Sequence, residues 1–208
     1  FLGAFNSWGV AHQISQTFPK VEALTRLVVQ LNYTKDRQQA DRDLYISIID
    51  REHNKVFYRE AKTIFADTNF FQFFTIPLVA GQPQHVLTDA NSVVLSESSS
   101  RKYFGEEEPI GKLIYLNDSL PVTVTGVFKN LPNNTHLDFD MVFSVAGKRG
   151  MDVSVWNGWS GYCYFKLSEG YSHQAFQQDL DHRKEALYDF VKLGCPHCEW
   201  NSLVQPLE

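Results

Sequence analysis

The stretch from Ala66 to Lys112, ADTNFFQFFTIPLVAGQPQHVLTDANSVVLSESSSRKYFGEEEPIGK, limits what this chain can fold into more than any other. Phe70, Phe71, Phe73 and Phe74 crowd into one short run, and on a helical turn those rings cover every side. A turn with one wet face cannot carry them, so the segment predicts a plug buried between layers. Asp67 or Thr68 is placed to cap that turn. Pro77 and Gly81 then frame an apolar strand. Ser92–Leu95 reads as a buried strand, and Ser96 is expected to cap a helix over Glu97–Phe104, with the Glu97 charge in the favourable first turn. Gly105 is the residue type that follows a helix end. The stretch is a packing unit and holds no catalytic constellation.

On either side the patterning is weaker. Phe1, Phe5, Trp8 and His12 recur at helical spacing, which predicts a short helix ending before Pro19, although Gly3 and Gly9 oppose it by about 1 kcal/mol each. Leu24–Tyr33 reads as a strand and 35–43 as a polar loop. Leu44–Ile49, a turn over Asp50–Lys55 and Val56–Arg59 form a hairpin pattern, and Thr63–Phe65 continues extended. Strands are expected over Leu113–Leu116 and Val122–Phe128, joined by Asn117, Asp118 and Ser119. His136–Val145 alternates Leu137, Phe139, Met141 and Phe143 against Asp138, Asp140 and Val142, the pattern of a strand with one apolar face. A loop over 146–152, a turn at Asn157-Gly158 and a strand over Tyr162–Leu167 follow. A helix is expected over Ser172–Leu193, its stripe of Phe176, Leu180, Leu187, Phe190 and Val191 interrupted by Arg183, which must snorkel, pair or mark a gap. A strand over Asn201–Leu207 ends the chain. Strands in clusters with few helices between them predict an α+β plan, not a doubly wound sheet.

Charge and length exclude some functions. The 208 residues are enough for one large domain or two small ones. With 19 basic and 24 acidic residues and no basic run, the chain offers no landing patch for a phosphate backbone, so nucleic acid is not an expected partner. No apolar run reaches the length of about 18 residues that a membrane helix needs. Phe1 stands where an initiating Met would, which reads as a piece of a longer protein.

Candidate chemistry is sparse. Cys195-Pro196-His197-Cys198 is a C-x-x-C, but a reactive pair of that kind sits at the start of a helix, and the residues after Cys198 include Pro206 and read as strand. Cys195 and Cys198 are therefore expected as a possible disulfide or a thiol pair in a loop, with a thiol-disulfide oxidoreductase as the alternative. A metal site would recruit both with His197 or His182, yet no second motif completes four ligands. Gly105–Lys112 resembles a phosphate loop only superficially, since three glutamates lie where phosphates would sit and Leu113 replaces Ser or Thr. Gly158-Trp159-Ser160-Gly161 is no nucleophile elbow, because Tyr162 stands where the second glycine belongs. Asp138 and Asp140 share a strand face and could serve acid-base chemistry, but a solvated face is the commoner use. No catalytic residue, cofactor site or metal site is assigned.

Seven ordered segments carry a family resemblance: Phe18–Ala23, Ala66–Phe71, Leu78–Gly81, Ser92–Ser98, Lys102–Gly105, Pro109–Lys112 and Val124–Pro132. Together with His136–Asp140 and Leu203–Leu207 they resemble the MacB-like periplasmic core domain of FtsX/MacB-type ABC transporter permeases, over nearly the whole chain. Cys195–Trp200 lies outside the resemblance. It implies a non-catalytic domain between two membrane helices, on the periplasmic side of the bacterial inner membrane. It also implies a partnership with those helices, with an ATPase subunit and with a second copy in a homodimer or pseudo-dimer. A porter-like subdomain from residues 1–76 and 136–208 and a smaller inserted one from 77–135 are expected. A periplasmic ligand-binding sensor is a further alternative, and it would need a concave apolar pocket with converging polar groups.

Overall fold

The computed structural model describes residues 2–29, 32–33, 40–41, 44–132, 134–146, 160–187 and 204–206. In chain order the elements begin with β1 (Leu2–Ser7), α1 (Trp8–Thr17), β2 (Val21–Val29), β3 (Asn32–Tyr33), β4 (Ala40–Asp41), β5 (Leu44–Ile49) and β6 (Lys55–Glu60). They continue with β7 (Thr63–Ala66), α2 (Phe70–Phe73), β8 (Leu78–Ala80), β9 (Ser92–Ser96), α3 (Glu97–Phe104), β10 (Leu113–Leu116) and β11 (Leu120–Phe128). The last are β12 (Met141–Ser144), β13 (Ser160–Leu167), α4 (His173–His182) and β14 (Gln205–Pro206). Helices and strands mix as an α+β fold, as expected.

The chain divides into two compact units, Phe1–Val28 with Gly147–Glu208, and Val29–Ala146. Boundaries at 76/77 and 135/136, expected from the resemblance, fall inside the second unit. There β12 bonds to both β7 and β9, a ladder that ties the segments on either side of each expected boundary into one sheet.

In the first unit β14, β1, β13 and β2 lie in that order with every pairing antiparallel. Residues 2–7 form a strand and not the start of a helix, because Leu2–Ser7 finds a partner in β13, from Leu2 opposite Phe165 to Ser7 opposite Ser160. Ladder pairing there overrides a weak apolar spacing that Gly3 already opposed. The expected helix survives only as α1. Ala11, Ile14 and Phe18 pack with Cys163, Phe165, Phe176, Leu180 and Leu187, and the Phe18 and Phe176 rings meet edge to face at 5.6 Å.

Ser172 caps α4 by accepting the Ala175 N–H at 3.1 Å. The long helix expected here is broken at Arg183, whose φ of −102° and ψ of 8° leave the helical basin before residues 184–187 turn helical again. Arg183 lies 5.4 Å from the centre of the Phe18 ring, so it pairs with an aromatic face. Phe176, Leu180 and Leu187 are buried as the stripe predicted, while Phe190 and Val191 lie outside the described residues. So do Asn157-Gly158, Cys195–Trp200 and most of the 35–43 loop. Of the expected last strand, β14 accounts for Gln205–Pro206.

In the second unit the order is β7-β12-β9-β11-β10-β5-β6, with β8 beside β11. The β7–β12 and β9–β11 pairings are parallel and the others antiparallel. The hairpin β5–β6 and the cap of α3 form as read from sequence: Ser96 Oγ accepts the Ser99 N–H at 3.1 Å, and Gly105 follows with φ of 62°. His136–Asp140 is not strand, and β12 starts only at Met141. Its alternation is nevertheless real in burial, because Leu137 and Phe139 are buried and Phe139 packs on Phe70 and Phe128. Aromatic packing, not a ladder, selects those positions.

The plug is α2. Asn69, and neither Asp67 nor Thr68, precedes it, and its side chain makes no capping bond to the helix. Burial fixes this turn instead, with Phe70, Phe71 and Phe73 all inside. Its other end closes tightly: the Thr75 N–H bonds to the Gln72 carbonyl at 3.2 Å and the Ile76 N–H to the Phe71 carbonyl at 3.0 Å. Thr75 stands at the position glycine usually takes, with φ of 56°. A β-branched residue in that basin is strained by about 1–2 kcal/mol, and glycine returns about half of this through unfolded-state entropy. Thr75→Gly is expected to raise stability by about 0.5–1 kcal/mol in urea titration, and any loss of stability contradicts the strain.

Candidate functional site

At one end of the second unit's sheet, two loops face each other. The β5–β6 turn is held by Asp50, whose carboxylate accepts the N–H groups of Glu52 at 2.9 Å and Asn54 at 2.8 Å. That turn presents Arg51. Opposite it, the chain leaves α3 at Gly105, bonds the Glu107 N–H back to the Phe104 carbonyl at 3.1 Å and runs to Lys112. The Arg51 guanidinium and the Lys112 ammonium both donate to the Glu107 carboxylate. Lys112 also lies 4.7 Å from the centre of the Phe104 ring. The groove between the loops has a volume of about 860 Å³ and is lined by apolar Ile49, Tyr103, Phe104, Leu113 and Tyr115, with Asp50, Arg51, Glu106, Glu107 and Lys112 around them.

Hydrogen bonds from Lys112 and then Arg51 hold the Glu107 carboxyl below the usual carboxylate range. A depressed carboxyl contributes stability that is present above its unfolded pKa and lost as pH falls through its folded one. Glu107→Gln is therefore expected to flatten the acid side of the stability profile below about pH 4. Melting curves across that range check it, and an unchanged acid slope contradicts the role. The trio ties hairpin to loop and offers an apolar floor beside charge. Arg51 and Glu107 lie far apart in sequence, and neither stands in a motif, so sequence reasoning missed the site; the three-glutamate run in the rejected phosphate loop was its only trace.

Next to the groove, the outward side of β6, β5 and β10 carries apolar side chains together with Lys55 and Arg59. Tyr45, Ile49, Phe57 and Leu113 are all exposed on it, Phe57 by 59%. Buried Ser47, opposite Phe57 and Tyr115, donates to the Asp118 carboxylate at 3.3 Å. Asp118 also holds the Lys55 ammonium, which sits 5.8 Å from the Phe57 ring centre and 5.5 Å from that of Tyr115.

The structure does not bring the sequence candidates together. Asp138 pairs with Lys62 at 2.7 Å and Asp140 accepts from Ser96 Oγ at 3.2 Å, so both serve in structural bonds. His182 ends α4. Cys195, His197 and Cys198 lie outside the described residues, and Cys163 is buried in the first unit's core. Among the described residues no three His, Cys, Asp or Glu side chains gather as a metal site would require, and no helix is long and apolar enough to cross a membrane.

Two compact α+β units, one holding a mixed sheet and a phenylalanine plug, fit the α+β plan of a periplasmic core domain. The chain belongs to the MacB-like periplasmic core domain family, whose model matches residues 4–183. A domain of a permease protein from Porphyromonas gingivalis has a similar structure, at 23% identity and a TM-score of 0.67, covering 88% of this chain and 71% of that one. The periplasmic region of MacB from Actinobacillus actinomycetemcomitans gives 15% identity and a TM-score of 0.61 over 94% of this chain and 85% of that one. The extracellular domain of the noncanonic ABC-type transporter YknZ from Gram-positive bacteria gives 10% and 0.54 over 92% and 91%. At these identities the likeness is one of fold. No curated relative matches the chain.

Proposed function

We propose that this chain is the non-catalytic extracytoplasmic domain of an ABC transporter permease, which couples cytoplasmic ATP hydrolysis to export or extraction of a substrate by changing conformation. The family match over residues 4–183 carries the reading. The turn glycines and buried phenylalanines of the recognised segments support it, since they suit a domain that transmits force. In this reading the domain stands on the periplasmic side of the inner membrane between two membrane helices, works with an ATPase subunit, and meets a second copy in the assembled transporter.

The test uses the whole transporter with spin labels at exposed Glu52 in one unit and exposed Glu169 in the other. Pulsed EPR is expected to show a changed distance distribution on adding ATP, and no change when the ATPase's phosphate-binding lysine is replaced. Identical distributions with and without ATP would remove the coupling. A second reading, a ligand sensor, is favoured by the groove with its apolar floor and the Arg51–Glu107–Lys112 trio. It predicts that Leu113→Asp abolishes a ligand-induced rise in melting temperature and leaves ATP-linked motion intact.

A further inference from the structure

We propose that the free edge of β6 is a contact between two copies of this chain, in which the β6 strands pair antiparallel about a two-fold axis at Tyr58. The phase of the β5–β6 hairpin sets which groups are available. The Asp50 N–H bonds to the Asn54 carbonyl, and bonded pairs recur at every second residue of an antiparallel ladder. Val56, Tyr58 and Glu60 thus spend their main-chain groups on Ile48, Ile46 and Leu44, while those of Lys55, Phe57 and Arg59 point away from β5. On that side β6 is the last strand of the sheet among the described residues.

Edge strands are commonly guarded by a lysine that points along the edge and deters pairing. Lys55 does not act in this way, because Asp118 draws its ammonium back over the Phe57 and Tyr115 rings. What stands at the edge instead is Phe57, the most exposed large apolar side chain of the described residues at 59%.

Charge decides both the occupant and the register. A two-fold axis normal to the sheet keeps each side chain on its own face and so passes through a residue, and the fullest overlap of the six-residue strands places it at Phe57 or Tyr58. With Phe57 on the axis, Lys55 faces Arg59 of the second copy, a like-charge pair that costs stability. With Tyr58 on the axis, Phe57 faces Arg59 of the second copy and Arg59 faces Phe57, so a guanidinium covers each exposed ring and no like charges oppose. Those two pairs are also the ones whose main-chain groups face outward, so each exchanges both of its hydrogen bonds. Val56 then lies opposite Glu60, which Lys102 already holds. The pattern complements itself, as an isologous contact requires. The contact is small, and it suits copies already held together at millimolar effective concentration by a shared membrane.

This contact gives a place to the two-copy assembly in the transporter reading and rests on that reading for its setting, but its test is separate. In a chain carrying Cys195→Ser and Cys198→Ser, Tyr58→Cys is expected to form a covalent dimer on mild oxidation, since the paired Cβ atoms lie within disulfide reach across the axis. Phe57→Cys is expected to stay monomeric, and adding Phe57→Asp to Tyr58→Cys is expected to cut the cross-linked fraction about tenfold. Sedimentation of the unsubstituted chain gives a second readout, a dimer that grows with concentration and is absent in Phe57→Asp. Cross-linking through Phe57→Cys in place of Tyr58→Cys overturns the register. A chain that sediments as a monomer to about 1 mM and does not cross-link overturns the contact. Cross-linking without ATP-linked motion would leave the contact standing and remove the transporter reading.

Discussion

Phe70→Ala is expected to destabilise the second unit by about 3–5 kcal/mol, a large part of the 5–15 kcal/mol that a domain commonly has. Phe70 is fully buried, and it belongs to a closed circuit of rings. Phe70 meets Phe71 at 5.5 Å, Phe71 meets Phe128 at 5.7 Å, Phe128 meets Phe139 at 5.4 Å, and Phe139 returns to Phe70 at 5.6 Å. Removing Phe70 opens a cavity and also cancels three ring contacts, to Phe71, Phe74 and Phe139, each worth about 0.5–1.5 kcal/mol beyond burial. The circuit joins α2 to β11 and to the segment before β12, so its loss loosens the centre of the unit. Phe74 packs on Phe70 at 5.1 Å but is only partly buried, and Phe74→Ala should cost about half as much. Urea unfolding of the three proteins is the measurement. Equal losses for Phe70→Ala and Phe74→Ala would mean that the circuit has no special place in the core.

That core was legible because its signals are local. Four rings in one turn, Ser96 before Glu97, and Gly105 after Phe104 each state a requirement that neighbouring residues satisfy, and the structure meets them in place. Where the partner lies far along the chain, the same kind of evidence misled. Phe1, Phe5 and Trp8 keep helical spacing, yet the ladder to Ser160–Phe165 decides that segment, and nothing near Leu2 announces it. Leu137 and Phe139 alternate like a strand because both are buried, Phe139 against α2 and β11, so the period was right and the cause was not. At Arg183 the stripe continued while the backbone did not, since the guanidinium finds the Phe18 ring from a position just past α4. The groove was the least legible feature. Arg51, Glu107 and Lys112 meet only after α3 and the β5–β6 hairpin have been brought to one end of the sheet, and a salt bridge between distant residues leaves no period behind. The family resemblance supplied what local signals could not, because it encodes seven segments and their order at once.

Gly81→Ala is expected to cost about 3 kcal/mol, more than Gly105→Ala, although both glycines have positive φ. Backbone strain acts at both, since φ is 92° at Gly81 and 62° at Gly105, the latter with ψ of −124° and so outside the left-handed basin. Space separates them. A Cβ on Gly105 would meet nothing within 4 Å. On Gly81 it would stand 2.7 Å from Val86 Cγ1 and 2.8 Å from the Thr125 carbonyl oxygen, closer than real Cβ contacts come. Neither neighbour can yield cheaply. Val86 is buried, and its own carbonyl accepts the Thr125 hydroxyl at 2.5 Å. Thr125 lies within β11, whose next residue, Gly126, also lacks room for a side chain, with the same Val86 methyl 2.8 Å from where its Cβ would be. Gly81 and Gly126 thus let β8 pass close to β11 with Val86 wedged against both, and the approach fails if either gains a methyl. Thermal unfolding of the two variants beside the parent separates strain from crowding. If Gly81→Ala and Gly105→Ala melt together, the close approach contributes nothing, and the glycine serves only the turn.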